Sequence, residues 1–271
     1  MPEKPTPPKH FRPEPFSYHE VIELKIDSLS NLGAGVGRID RVISADSTSE
    51  GRWVVFVPFS LPGETVRARI WKNESSCSHA DLLEVLIPSP RRQEPRCPLF
   101  TTCGGCQYQH LDYGEQLRWK HQQVGELLQR MAAIDHPVEA PIPSPAQWNY
   151  RSKITPHFQK PHPDRKLNIG FLASGSRNRI IDVPHCPIAM SNLNDALPAE
   201  RQRIHQAASR GTFRKGATLL LRATAAGVHT NPREVVEERT GDLTFRFLAG
   251  DFFQNNPFIL PSFVEYVARE A

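Results

Sequence analysis

Trp53-Val-Val-Phe-Val-Pro-Phe-Ser-Leu-Pro-Gly-Glu-Thr-Val-Arg-Ala-Arg-Ile70 decides how the first third of the chain is read. Trp53 to Pro58 and Glu64 to Ile70 are dense in β-branched and aromatic residues, which predicts two strands. Leu61-Pro62-Gly63-Glu64 is the turn between them. Working outward, Val21 to Ile26 alternates apolar and polar residues and reads as another strand. Leu82 to Ile87 is a further one. Leu29 to Arg38 carries Gly33, Gly35 and Gly37. No Lys-Ser/Thr follows these glycines and no helical pattern opens after them, so a phosphate loop fits poorly. A tight turn at a barrel corner fits better. About five short strands between Phe16 and Pro95 predict an OB-like barrel, a frequent platform for nucleic acid. Arg67, Arg69 and Lys72 are candidates for its binding face, the alternative being an ordinary solvated strand face. Cys77 lies in a polar loop, Glu74-Ser-Ser-Cys77-Ser-His79, with no partner pattern and reads as a bystander.

Cysteine spacing carries the next signal. Cys97-Pro-Leu-Phe-Thr-Thr-Cys103-Gly-Gly-Cys106 places three cysteines close together, and Cys186, in Pro184-His185-Cys186-Pro187, can add a fourth from a distance. Close thiolates converge on one soft ion or cluster at little loop-closure cost. The C-x5-C-x2-C…C order is near a plant-type iron–sulfur spacing. Structural zinc favours paired C-x2–4-C knuckles. Unligated core cysteines are the third reading that spacing leaves open. Gly104 and Gly105 let the backbone wrap closely there.

The chain has 271 residues, enough for two domains with sizeable cores. Its 33 Lys+Arg against 29 Asp+Glu leave a net charge of +4, compatible with a nucleic-acid partner without requiring one. No apolar run approaches the roughly 20 residues of a membrane span. Met1 to Pro15 is polar and proline-rich, with no apolar targeting core, and reads as a disordered leader. An odd cysteine count without a signal peptide predicts a reducing compartment, the cytoplasm.

Beyond the cysteines, Tyr113 to Met131 has helical periodicity, with Leu117, His121, Val124, Leu128 and Met131 as its apolar stripe. Pro137 to Pro145 reads as a linker. Between positions 151 and 179, seven Lys/Arg stand against one acid, Asp164. The expected strands Ser152–Gln159, Leu167–Leu172 and Arg179–Val183 would carry those cations. That arrangement suits phosphate contacts, or else a solvated sheet face. Trp148 and Tyr150 read as core. His185 reads as a neighbour of the metal ligand Cys186. Ala217 to Ala223, Gly227 to Thr230 and Leu243 to Leu248 read as strands. Asn256 and Pro257 look like the cap and first position of a last helix, Pro257 to Ala271, with Ile259, Phe263, Tyr266 and Val267 on one face.

Four blocks, in order, resemble the TRAM-domain RNA (uracil-5)-methyltransferases that use S-adenosylmethionine, and most of all their bacterial rRNA branch with a [4Fe-4S] cluster. They are Leu32-Gly33-x-Gly35-Val36-Gly37-Arg38 with Val57-Pro58 and Leu61-Pro62-Gly63-Glu64; Cys97…Cys103-Gly-Gly-Cys106-Gln107-x-Gln109-His110 with Cys186; Tyr150-Arg151-x-Lys153; and Phe252-Phe253-Gln254-x-Asn256-Pro257. The resemblance implies that Cys97, Cys103, Cys106 and Cys186 ligate a [4Fe-4S] cluster. It also implies that Gln254 contacts S-adenosylmethionine and that Phe252 lies beside the target base. Arg151, Lys153, Arg67 and Arg69 become candidates for RNA contact. In such enzymes a cysteine thiolate adds to uracil C6, C5 attacks the methyl sulfonium, a carboxylate removes the C5 proton and the cysteine leaves. The target base must be flipped out to reach the pocket.

A glycine-rich donor loop, a catalytic cysteine and a general base are not recognisable in the sequence. The expectation is therefore a β-rich α+β chain. It has a leader (1–16), a TRAM barrel (17–92), a mixed α+β central domain with a cysteine-cluster lobe (93–243) and the first helix of a missing Rossmann-like methyltransferase domain (244–271). Such a chain would be a cytoplasmic monomer without membrane contact. It would be the RNA-binding N-terminal part of an RNA (uracil-5)-methyltransferase, directed at rRNA rather than tRNA, and inactive alone. A free-standing RNA-binding iron–sulfur module and a cluster-based redox sensor are the alternatives.

Overall fold

In the computed structural model, which describes residues 6–40 and 52–271, the chain forms two compact units. One is Met1–Glu94 with Gln107–Pro141, the other Pro95–Cys106 with Ile142–Ala271. The first unit holds a closed barrel of β1 (Val21–Leu29), β2 (Ala34–Ile39), β3 (Trp53–Pro58), β4 (Thr65–Asn73) and β5 (Cys77–Ile87), in the order β1-β2-β3-β5-β4. All neighbours are antiparallel except β3 and β5. The period of two buries Ile22, Leu24 and Ile26 from β1, Val55 and Val57 from β3, and Val66, Ala68 and Ile70 from β4. Two glycines have a steric reason. Gly33 turns the chain at φ +85°, and a Cβ on Gly37 would lie 2.6 Å from both Leu24 Cδ1 and the Lys25 carbonyl.

Three expectations change in this unit. Cys77 opens β5 and is not in a loop. The end of the presumed leader is ordered: Phe16 is fully buried, and Asn73 Nδ2 donates to the carbonyls of Arg12 (2.8 Å) and Phe16 (2.7 Å). Residues 1–5 of that leader lie outside the described residues. Helix α1 (Tyr113–Ala132), capped by Asp112 accepting from the Glu115 amide, belongs to the barrel unit. It is anchored by Trp119, packed with Leu29, Leu61 and Leu111. Gln123 Nε2 also donates to the carbonyl of Ser30 (2.8 Å). Of its expected apolar stripe, Leu117, His121 and Leu128 are half-buried, while Val124 and Met131 are exposed.

The second unit contains β6 (Lys153–Ile154), β7 (His157–Phe158), β8 (Gly170–Leu172), β9 (Ile180–Asp182), α2 (Ser191–Ser209), β10 (Ala217–Thr218), β11 (Leu221–Thr224), β12 (Gly227–His229), β13 (Val235–Thr240), β14 (Leu243–Leu248) and α3 (Leu260–Glu270). The strands form sheets β10-β7-β8-β9 and β12-β11-β6, plus the hairpin β13-β14. Helix α2 closes the core by burying Leu193, Leu197 and Ile204 among Ile154, Phe158, Ile169 and Leu221. Helix α3 starts after an αR residue, Ile259, with no side-chain cap, and buries only Leu260. Asn256 is not its cap residue: the Asn256 side-chain Oδ1 accepts from the Phe258 amide, and its Nδ2 donates to Ser144 Oγ (2.8 Å). Residues 244–271 are part of this unit and form no body of their own. No helix among the described residues is long and apolar enough to cross a membrane.

Candidate functional site

The cysteine loop is fixed by its own backbone and by β8. Cys103 N–H bonds the Leu99 carbonyl (2.8 Å), Gly104 N–H the Leu172 carbonyl (2.9 Å) and Ser174 N–H the Thr102 carbonyl (2.9 Å). Thr101 is held at φ +71°, an unfavourable conformation for a β-branched residue, which these surrounding bonds enforce. Cys97, Cys103, Cys106 and Cys186 are all half-buried in the second unit and none is in a disulfide.

Three of these sulfurs act on one another. Burial raises the Cys103 thiol above its ordinary range, against a hydrogen bond from the Gly105 amide, and the nearby Cys97 raises it further. Burial likewise raises Cys186, with the amides of Ile188 and Ala189 opposing and Cys97 and Cys103 adding to the rise. A bound cation would reverse this penalty. Among the described residues, no three of these sulfurs lie within 4.8 Å of one another. One zinc ion with 2.3 Å bonds needs thiolates about 3.8 Å apart.

Cys186 is positioned by a residue that sequence reading missed. Asn194, buried on the first turn of α2, accepts from the Cys186 amide (2.9 Å). It donates to the carbonyls of Cys186 (3.0 Å) and Ala189 (3.2 Å). Asn194→Ala orphans these groups. It is expected to cost on the order of 2 kcal/mol in the second unit and to speed hydrogen exchange across residues 184–190.

The Tyr150-Arg151-x-Lys153 and Phe252-Phe253-Gln254 blocks meet in space. Lys153 Nζ donates to the carbonyls of Gly250 (2.7 Å) and Asp251 (2.9 Å). Arg222, 1% exposed, donates through Nε to the Ala249 carbonyl (2.7 Å) and through Nη2 to that of Asp251 (2.7 Å). The Ser152 amide bonds the Asn255 carbonyl (2.7 Å). Burial, then the charge of Arg222, lowers the Lys153 ammonium from its ordinary value. Phe253 stacks on Phe247 with ring centroids 4.3 Å apart, and the Arg222 guanidinium lies over the Phe247 ring at 5.0 Å. Phe252, 81% exposed, and Gln254 project from this pinned loop into solvent. Lys153 thus spends its charge on backbone carbonyls, while Arg151 Nε donates to the Lys153 carbonyl (3.1 Å). The only sequence sign of Arg222 is a lone cation inside an apolar strand.

The remaining cations divide into two kinds. In the barrel, Arg67 pairs with Glu23 (2.8 Å) and Glu84 (2.5 Å), and Arg69 with Asp81 (2.9 Å). In the second unit, Lys160, His162, Arg165 and Lys166 line a cleft of about 290 Å³. There Lys166 pairs with Asp182 (3.3 Å) and His162 lies 3.7 Å from Asp164, which leaves Lys160 and Arg165 as the cations the hollow offers to an anionic ligand.

A TRAM domain model matches residues 19–83, nearly the whole barrel. The chain is 39% identical over 269 residues to the tRNA (uracil(54)-C(5))-methyltransferase of Schizosaccharomyces pombe, covering 94% of this chain and 49% of that protein. It is 30% identical over 316 residues to the Saccharomyces cerevisiae protein of the same name, covering 92% and 48% respectively. The crystal structure of Pyrococcus abyssi tRNA (uracil-54, C5)-methyltransferase in complex with S-adenosyl-L-homocysteine matches with a TM-score of 0.60 at 20% identity. That match covers 91% of this chain and 64% of the other, and at this identity it speaks for the fold alone. The chain spans about half the length of the curated relatives it matches. These likenesses correct the expectation of an rRNA-directed, non-catalytic RNA-binding portion or module. Both of these relatives, which align along nearly all of this chain, are methyltransferases named for tRNA.

Proposed function

Because the chain carries a TRAM domain and is similar along nearly its whole length to RNA (uracil-5-)-methyltransferases, we propose that it serves S-adenosylmethionine-dependent methylation of uracil C5 in tRNA. The observation that carries this reading is the 39% identity across 94% of the chain to a tRNA (uracil(54)-C(5))-methyltransferase. S-adenosylmethionine supplies the methyl group when bound. Gln254 is the residue assigned to contact it and Phe252 the one assigned to the target base. Their exposure on a loop pinned by Lys153 and Arg222 supports both assignments. An unpaired base can stack on an exposed aromatic ring. Phosphate contacts fall to the cleft of Lys160, His162, Arg165 and Lys166, and binding through it weakens with salt.

In the same reading, Cys97, Cys103, Cys106 and Cys186 hold a [4Fe-4S] cluster. Support comes from the mutual influence of three of the sulfurs and the amides aimed at Cys103 and Cys186. The cluster braces the loop beside β8; no methyl-transfer step is assigned to it.

The substrate is tested by nucleoside mass spectrometry of RNA from cells with the gene deleted. The expected result is loss of 5-methyluridine from tRNA with rRNA unchanged. Unchanged tRNA with loss from rRNA would overturn the assignment.

A further inference from the structure

The turn from β4 to β5 gathers three different metal donors that the proposed activity does not use. The Glu74 amide bonds the Cys77 carbonyl (2.7 Å) and closes the turn. Cys77 and His79 are two apart on β5, so their side chains share a face, outside the buried Ser78 and Ala80. The Glu74 carboxylate turns one oxygen to each: Oε2 lies 3.8 Å from Cys77 Sγ, and Oε1 lies 3.5 Å from His79 Nε2. One donor atom from each of the three residues lies within 4.8 Å of the other two, and all three residues are half-buried. Tetrahedral zinc, with bonds of 2.0–2.3 Å, sets its ligand atoms about 3.3–3.8 Å apart. Closing the set around an ion therefore needs only small side-chain adjustments.

The surroundings favour the same conclusion. The His79 ring stacks on Phe56 with centroids 5.4 Å apart and meets Trp71 at 5.5 Å, so the imidazole is held toward the turn. A thiolate, an imidazole and a carboxylate together suit a borderline-soft divalent ion, and suit calcium or magnesium poorly. We propose that Glu74, Cys77 and His79 bind one zinc ion, with water in the fourth position. This set shares no ligand with Cys97, Cys103, Cys106 or Cys186. Lys72, whose ammonium pairs with Glu74, is the ion's competitor for the carboxylate.

Cobalt(II) is the probe, titrated anaerobically into the full chain beside Cys77→Ala, Glu74→Gln, His79→Ala and Lys72→Met. The other four cysteines contribute equally to every sample, so differences report on the turn. Wild type is expected to take up one more equivalent than Cys77→Ala, with a thiolate-to-cobalt charge-transfer band that zinc bleaches. Glu74→Gln and His79→Ala are expected to weaken that equivalent roughly tenfold or more. Lys72→Met is expected to strengthen it. Identical spectra and stoichiometry in wild type and Cys77→Ala would overturn the site. So would affinity unchanged by both Glu74→Gln and His79→Ala, which would leave only a stray thiolate. Glu74→Gln keeps the shape of a half-exposed side chain, so it decides the matter even if Cys77→Ala does not fold.

Discussion

With the proposed [4Fe-4S] assignment, Cys186→Ala is expected to abolish iron binding. Anaerobically prepared wild type should show visible charge-transfer absorption and about four irons per chain, as a cubane requires. The variant should show neither. Cys186 stands on a separate stretch of chain, just before α2, where Cys97 and Cys103 act on it. Losing it removes one ligand of the proposed cluster, while the backbone bonds of Asn194 to residue 186 survive the change to alanine. Alanine fills most of the volume of a half-buried cysteine, so the second unit should stay folded. Unchanged far-UV circular dichroism would separate loss of ligand from loss of fold. Cys97→Ala, Cys103→Ala and Cys106→Ala should behave alike, whereas Cys77→Ala should keep colour and iron. One zinc and no colour in the wild type would sink the cluster.

The barrel was legible because its signals are local. Alternation along Val21 to Ile26 and the turn Leu61 to Glu64 specify strands and a reversal whatever surrounds them. Helix α2 was illegible for an equally local reason. Pro198 interrupts its periodicity, and its N-cap, Met190, has no capping side chain. The periodicity of helix α1 marks the helix but not its anchor: the buried residue is Trp119, outside a stripe whose Leu117, His121 and Leu128 are half-buried. The site was half legible. Its motifs stood out one by one, yet the contact between Lys153 and the 249–251 loop spans nearly a hundred residues and has no periodic trace. The same holds for Glu64. Its place in a turn was plain, and its partner, 28 residues away, was not.

That partner is Arg92, and breaking the pair is expected to be the largest single loss in the barrel unit. Glu64 is fully buried. It accepts from Arg92 Nε (2.6 Å) and Nη2 (2.9 Å), from the Leu61 amide (2.8 Å) and from the Ser89 amide (3.2 Å). Removing one member of a buried pair costs about 3–5 kcal/mol. Glu64→Gln should fall near 3, because the Arg92 side chain it leaves behind is 25% exposed and finds water. Arg92→Met should fall near 5, because the carboxylate it leaves behind has no solvent. Glu64→Leu with Arg92→Met should cost less than either single change, since no charge is stranded. Acid sharpens the test. Burial would raise the Glu64 carboxyl, but the bonds from Arg92, Leu61 and Ser89 hold it below the ordinary value. Its contribution is therefore complete above the ordinary carboxylate range and disappears as pH falls through the lowered folded value. Buried His110 acts earlier. Burial, then the charge of Arg92, pushes its imidazole down to about 4. The unfolded chain takes that proton first, so stability falls from about pH 6.5 toward 4 by about 3 kcal/mol, at 1.36 kcal/mol per pH unit. Urea unfolding followed by hydrogen exchange over residues 53–70 reads the barrel unit alone. Wild type should lose stability in both windows, and Glu64→Gln only in the upper one. A Glu64→Gln barrel as stable as wild type at pH 7 would show that the turn holds without its charge.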